Sequence, residues 1–184
     1  YIFSSAFSFI LSLALTIPTN DELMAQARYS IISTTEALAT GVSKFFWFIW
    51  PQYNETGNEW GVFDKNDNPN PSYASEAVMT YMLGKGIYKG SLQTPDVEGY
   101  VFDNGKNDVL VAWTELAKPL VLKSDKDVRV TDIMGQEKVV KSKNGEVRIE
   151  VSYYPTYISF DTEMPISEYY PAHYNFDETP LTYN

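Results

Sequence analysis

After Gly86 the chain falls into short runs of alternating apolar and polar residues, separated by turn chemistry, and that grammar leaves few folds open. The runs are "EGYVFDNG", "DVLVAWTE", "KPLVLKS", "DVRVTDIMG", "QEKVVKSKNGEVRIEVS" and "TYISFD". Side chains on a strand point alternately to its two faces, so Val109, Val111 and Trp113 share one face and Leu110 and Ala112 the other. Asn144-Gly145 in "KNGE" marks a tight hairpin turn, whose two central residues need positive φ. Several short strands at this spacing predict an antiparallel β-sandwich over residues 87–161. Because its strands can pair among themselves, the sandwich is expected to fold without the segment before it. An apolar fraction of 44 % in 184 residues suffices for the core of one ordinary domain or two small ones.

Before Gly86 the grammar is helical. Residues 20–40 place Leu23, Ala27, Ile31, Thr34 and Leu38 at helical spacing. Thr19 or Asn20 can cap this helix, Asp21 and Glu22 suit its positive end, and Gly41 suits the position just past its last turn. Residues 42–50 form a continuous apolar run between Gly41 and Pro51, which predicts a strand buried on both faces, as in parallel sheets. A long polar loop follows, in which "DKNDNPNP" is turn chemistry. Asp64, Asp67 and Asn68 have some of the spacing of a calcium loop but not its closing Gly and Glu, so no metal site is assigned. "PSYASEAVMTYMLGKG" predicts a second helix, with Pro71 in its first turn, Gly84 or Gly86 at its end, and Ala74, Ala77, Val78, Tyr81 and Met82 facing inward.

Charge narrows the partners. A formal net charge of -10 argues against nucleic acid and against anionic membranes. There is no Cys, which removes disulfides, thiolate nucleophiles and Cys-built zinc sites, and the single His, His173, rules out a multi-His metal site. No cofactor is implied. The apolar run over residues 7–15 is too short to span a bilayer, which takes about 20 residues. It is either a buried barrel element or the apolar part of an export signal lacking its basic flank, and the second reading would make the protein secreted or cell-surface.

The landmarks Gln26-Ala27, Gly41-Val42, Phe46-Trp47-Phe48, Trp60-Gly61-Val62-Phe63, Pro71-Ser72-Tyr73-Ala74 and Tyr88-Lys89-Gly90, with residues 99–102 and 109–113, stand in one order. In that order they resemble the closing segment of a clan-A glycoside hydrolase, over roughly residues 20–160. The resemblance implies a fold class of α/β plus all-β, a partial (β/α)8-barrel segment followed by the antiparallel β-sandwich. Residues 1–86 would be the end of the barrel, 87–161 the sandwich, and 162–184 a Tyr-rich acidic tail, either an extended arm or a disordered end. Such enzymes hydrolyse glycosidic bonds with two carboxylates, at the ends of strands four and seven. Strand four is not in this chain, and residues 1–19, where strand seven would fall, hold no Asp or Glu. Glu36 lies mid-helix. No catalytic residue is therefore assigned, because the retaining mechanism needs two carboxylates about 5 Å apart.

In a (β/α)8 barrel, functional side chains sit at the C-terminal ends of strands and in the loops after them. The resemblance makes Trp47 a platform under a sugar ring, with Trp50, Asn54, Glu55 and Trp60 as further carbohydrate contacts. An indole face suits the apolar C–H face of a sugar, and polar groups at its edge suit the hydroxyls. Alternation puts Phe45, Trp47 and Ile49 on one side and Phe46, Phe48 and Trp50 on the other; with Trp47 toward the axis, Phe46 and Phe48 pack on the helices. The competing reading makes Phe45, Phe46, Phe48 and Trp113 core, Glu55 and Glu59 a solvated loop face, and His173 an exposed tail residue. The resulting function is that of the C-terminal portion of a glycoside hydrolase-like protein that acts on or binds carbohydrate. It would be inactive alone and completed by the remainder of a barrel, which could stand on another chain. The alternative is a non-catalytic carbohydrate-binding or structural, assembly-type module.

Overall fold

The computed structural model describes residues 18–42, 44–47, 53–55 and 58–172, and of 53–55, 58–60 and 166 the backbone. Helix α1 is Asn20–Ala39 and helix α2 is Pro71–Leu83. The strands are β1 Tyr53–Glu55, β2 Asn58–Trp60, β3 Ile87–Leu92, β4 Glu98–Asp103, β5 Asp108–Trp113, β6 Lys118–Lys123, β7 Val128–Asp132, β8 Glu137–Val140, β9 Glu146–Val151, β10 Thr156–Ser159 and β11 Tyr169–Pro171. Every pairing between them is antiparallel.

Both helices end where local chemistry ends them. Thr19 and Glu22 form a capping box: the Thr19 amide donates to Glu22 Oε2 at 2.7 Å and the Glu22 amide to Thr19 Oγ1 at 3.3 Å. At the other end of α1, Gly41 has φ 84, its amide donates to the Leu38 carbonyl, and the Val42 amide reaches back to Ala37. That pair of bonds is a Schellman turn, and the left-handed residue it needs is the predicted glycine. The buried faces are rotated from the expected stripes. On α1 they are Ala27, Ser30, Ile31, Thr35 and Ala39, and on α2 Ser72, Ser75, Met79, Met82 and Leu83, while Tyr81 is 86 % exposed and Ala77 is also exposed. Small hydroxyl residues replace large apolar ones because each bonds to its own helix: Ser30 Oγ to Ala27 O, Thr35 Oγ1 to Ile31 O and Ser75 Oγ to Ser72 O, at 3.0, 2.7 and 2.9 Å. A satisfied hydroxyl is cheap to bury and short enough for close approach.

A seven-stranded sheet, in the order β11-β3-β4-β5-β10-β7-β8, is the centre of the molecule, and β6 and β9 pair as a second, smaller sheet. Strand β5 is buried throughout, and its alternation is the predicted one. Val109, Val111 and Trp113 join Phe102, Ile133 and Tyr157 against Ala27, Ile31, Met79, Met82 and Leu83 of the helices. Leu110 and Ala112 join Val101, Val128, Val130 and Ile158 against Leu120, Leu122, Val147, Ile149 and Val151 of the small sheet. The large sheet thus has apolar cores on both faces. The turn at Asn144 (φ 55) and Gly145 (φ 79) forms as predicted, but the strands flanking it part company: β8 stays with β7, and β9 crosses to β6.

Part of the Tyr-rich tail belongs to this sheet. Strand β11 pairs with β3, Tyr169 is buried, and the Met164 amide donates to the buried Asp108 carboxylate at 2.7 Å. Gly90 faces Tyr170 so closely that a Cβ there would collide with the Tyr170 carbonyl. His173 and the rest of the tail, like the apolar run 7–15, lie outside the described residues.

The expected strand over 42–50 differs most. At residues 42 and 44–47 no strand forms, and Val42, Phe45 and Phe46 are exposed, Phe46 to 82 %. A strand buried on both faces needs strands beside it, and none of the described strands pairs with these residues. The barrel-like arrangement is therefore not seen; the architecture is an antiparallel, sheet-rich fold with two helices.

Candidate functional site

The aromatic run leaves α1 through the Schellman turn and folds back on the helix it has just left. Trp47 meets Tyr29 of α1 edge-on at 5.8 Å between ring centroids, and Phe45 at 5.7 Å. Its Nε1 is enclosed and has no hydrogen-bond partner among the described residues. The expected register is therefore reversed: Trp47 leans on the helices, and Phe46 points to solvent. The contacts that hold Trp47 there are ring packing, edge-on with Tyr29 of α1 and with Phe45. Phe46 and Phe45 are exposed rather than core, which corrects that expectation too.

Glu76 is the residue that sequence reading missed. It is half-buried on α2, and its Oε1 is enclosed without a partner among the described residues. Burial raises its pKa, while the nearby Ser30 hydroxyl and Trp47 indole pull it back. Tyr157 of β10 is fully buried; burial first, and then the charge of Glu76, push its phenol far up. A signal existed: Glu76 stands four residues after Ser72 and three before Met79, in phase with the buried face.

Of the other predicted contacts, Trp50 lies outside the described residues. Asn54, Glu55 and Trp60 fall on a β1–β2 hairpin where a loop was expected, and only their backbone is described. Its register pairs Tyr53 with Trp60, Asn54 with Glu59 and Glu55 with Asn58. The two strands stand two residues apart in sequence, the spacing of a tight hairpin, and "ETGN" carried that signal. The chain beyond the hairpin is fastened firmly. Gln26 of α1 donates to the Gly61 carbonyl at 3.2 Å and accepts from Ser72 Oγ at 2.8 Å, so it ties the hairpin exit to both helices. Asp64 accepts from the Asn66 and Asn68 amides at 2.8 and 2.9 Å and from Asn68 Nδ2, bonds that hold its carboxyl below the ordinary range. That carboxylate serves the turn.

Among the described residues the other carboxylates do not converge on a cleft. Glu36 of α1 is pushed up by burial and then by Glu98 of β4, and Tyr100 beside them is raised to about 12 by burial, Glu36 and Glu98. Tyr100 stacks on Trp113 at 5.5 Å, which makes this group part of the helix–sheet contact. Asp108 is spent on Lys89, 2.9 Å away. Among the described residues no three His, Cys, Asp or Glu side chains gather to hold a metal, and no helix is long and apolar enough to cross a membrane. A groove of about 400 Å³, lined by Ala117, Lys118, Pro119, Arg148 and Glu150, lies on the small sheet, on the other side of the large sheet from the aromatic run.

No protein-family profile and no curated protein matches the chain. Solved structures do. A family 39 glycoside hydrolase from Bacteroides cellulosilyticus WH2 superposes with a TM-score of 0.62 at 20 % identity, covering 74 % of this chain and 30 % of that one. A noncanonic maltogenic alpha-amylase from Thermotoga neapolitana matches more distantly, with a TM-score of 0.39 at 16 % identity over 73 % of this chain and 38 % of that one. The chain thus spans less than a third of the first enzyme's length, and what the two share is a fold: this chain is built like part of a family 39 glycoside hydrolase.

Proposed function

We propose that the chain is the C-terminal portion of a glycoside hydrolase-like protein that acts on or binds carbohydrate. The observation that carries this reading is the fold likeness to part of a family 39 glycoside hydrolase, which agrees with the ordered landmarks from Gln26 to Trp113. On this reading residues 1–86 are the end of a barrel, 87–161 the sandwich and 162–184 its tail. The missing strands, with both catalytic carboxylates, belong to the remainder of the barrel, and this chain alone does not hydrolyse glycosides. Secretion or surface display fits a polysaccharide partner.

The carbohydrate contacts are the aromatic run and the hairpin after it: Trp47, Trp50, Asn54, Glu55 and Trp60. With Trp47 leaning on the helices, the exposed Phe46 is free to take the platform role. A panel of aryl glycosides tests the enzyme part, and turnover by the purified chain would overturn it. Affinity electrophoresis in gels cast with soluble β-glucan, xylan or starch tests the binding part. Retardation that Trp50→Ala abolishes supports it, and retardation unchanged by that substitution places binding elsewhere.

One observation favours the second reading, a non-catalytic carbohydrate-binding or structural module. The helices already share a closed core with the sheet, so the fold has no need of a barrel to bury them. Retardation in those gels, with no hydrolysis even after the rest of a barrel is supplied, would select it.

A further inference from the structure

Strand β11 leaves its ladder with β3 unfinished. It sets Tyr169 against Leu92, Tyr170 against Ser91 and Pro171 against Gly90. The next amide keeps the same course, since Ala172 N donates to the Lys89 carbonyl at 2.7 Å. β3 itself begins two residues before Lys89, at Ile87, and on its other side β4 accompanies it to that first residue, with Asp103 opposite Ile87. Among the described residues no strand stands beside Ile87 on the β11 side, and Ile87 is 69 % exposed. Proteins cover or blunt such open edges, because a bare edge is a template for pairing with another chain. The approach to this edge is firmly built. Tyr169 is buried, Gln93 donates from Nε2 to the Tyr169 carbonyl at 2.8 Å and from its amide to the Glu168 carbonyl at 3.2 Å, and the missing side chain of Gly90 leaves room for the Tyr170 carbonyl.

We propose that the segment just after β11, residues 173–176, docks along the first residues of β3 and covers Ile87, so that the C-terminal tail closes this edge of the large sheet. A single exposed apolar side chain is ordinary; what singles out Ile87 is that a strand of the same chain is already aimed at it. β11 runs antiparallel to β3, so the chain leaves Ala172 heading toward Ile87. Two more residues of strand advance about 6–7 Å, and two residues of β3 remain beyond Lys89. Residues 173–176 are His-Tyr-Asn-Phe, an alternation of polar and aromatic side chains that suits a half-covered strand and puts Tyr174 and Phe176 on one face. An aromatic ring against a β-branched side chain is a stabilising cross-strand pair. β3 is irregular between Tyr88 and Gly90, so the register alone does not choose between Tyr174 and Phe176 as the ring over Ile87. Asp177, Glu178 and Pro180 follow, and charge together with a missing amide ends a strand and discourages a further edge partner. The closure is independent of the carbohydrate reading.

The chain has no Cys, so thiol pairs can be introduced without interference. In the full 184-residue chain, Ile87→Cys is combined in turn with His173→Cys, Tyr174→Cys, Asn175→Cys and Phe176→Cys, and each pair is oxidised at low protein concentration. Residues opposite each other on antiparallel strands have Cα atoms about 4.5–5.5 Å apart, within the reach of a disulfide. One of the four pairs, or two adjacent ones, is expected to close within the monomer at least about tenfold faster than the others, because docking holds its thiols at a higher effective concentration. Equal rates for all four, or no bond within the chain, overturn the proposal. Bonds that form only between chains also overturn it and assign the edge to a second copy. If the cysteine variants do not fold, the wild-type chain decides: nuclear Overhauser contacts between the Ile87 methyl groups and the Tyr174 or Phe176 ring are expected, and their absence overturns the proposal.

Discussion

Cutting the chain before Ile87 is the sharpest perturbation the fold suggests. Strand pattern alone predicts an independent sandwich, because residues 87–161 hold strands that pair with one another. The shared core points the other way. Phe102, Val109, Val111, Trp113, Ile133 and Tyr157 turn toward Ala27, Ile31, Met79, Met82 and Leu83, and each is at most 4 % exposed. Removing the helices uncovers one side of all of them. Full exposure of such a side chain costs about 1.5–3 kcal/mol, so the layer contributes on the order of 10 kcal/mol. A whole domain of this kind is stable by only about 5–15 kcal/mol. Residues 87–172 alone should therefore fail to unfold cooperatively. Trp113 is the sole tryptophan in that fragment and sits in the uncovered face, so its fluorescence reports the outcome directly in a urea titration. The expected result is red-shifted emission and a shallow, non-sigmoidal curve. Blue-shifted emission with a sharp transition, steep enough for a domain of that size, would mean that the sandwich folds independently of the helices.

Other predictions rest on single contacts. Asp108→Asn should destabilise by about 3–5 kcal/mol in thermal or urea unfolding, because it strips the counter-charge from Lys89 and an acceptor from the Met164 amide. Burial pulls Lys89 down, but the bond and charge of Asp108 prevail and raise it. The stabilisation from this pair is thus full below the ordinary lysine pKa and is lost as pH rises through the raised value, so wild type and Asp108→Asn should converge only in strong alkali. Arg28→Ala should cost about 1–2 kcal/mol by the same unfolding assay, since its guanidinium lies 3.9 Å over the Tyr153 ring and its Nε bonds the Tyr153 carbonyl at 2.8 Å. Phe46→Ser should change stability by no more than about 0.5 kcal/mol, as an exposed side chain does; a loss of several kcal/mol would show the ring buried.

The features legible in the sequence are those that depend on neighbours along the chain. The Thr19–Glu22 cap, the Gly41 stop, the Asn144-Gly145 turn and the two faces of β5 are each decided within a few residues, and each is readable. The phase of the helices is not. A hydrophobic stripe is the usual signal, and the buried faces are built partly from Ser30, Thr35, Ser72 and Ser75. Of these, Ser30, Thr35 and Ser75 look polar until their hydroxyls are seen bonded to their own backbone. Nor is it readable that β9, one turn away from β8, crosses to another sheet, since either strand's pattern fits either partner.

The aromatic run fails for a more instructive reason. A continuous apolar stretch says that residues want burial, but the face each side chain takes depends on what stands beside the strand. Without flanking strands the run is sorted by ring packing instead: Trp47 packs on Tyr29 and Phe45, and Phe46 is left exposed. Helix α2 carries Glu76 in the inward phase. That carboxyl is raised by burial, so its neutral form is favoured in the fold, and its stabilising effect is present below the ordinary carboxylate pKa and lost as pH rises through the raised value. Wild type should therefore fall behind Glu76→Gln in urea stability as pH rises from the acid range, and draw level with it in acid. A gap that stays constant with pH would mean that Glu76 does not feel its burial.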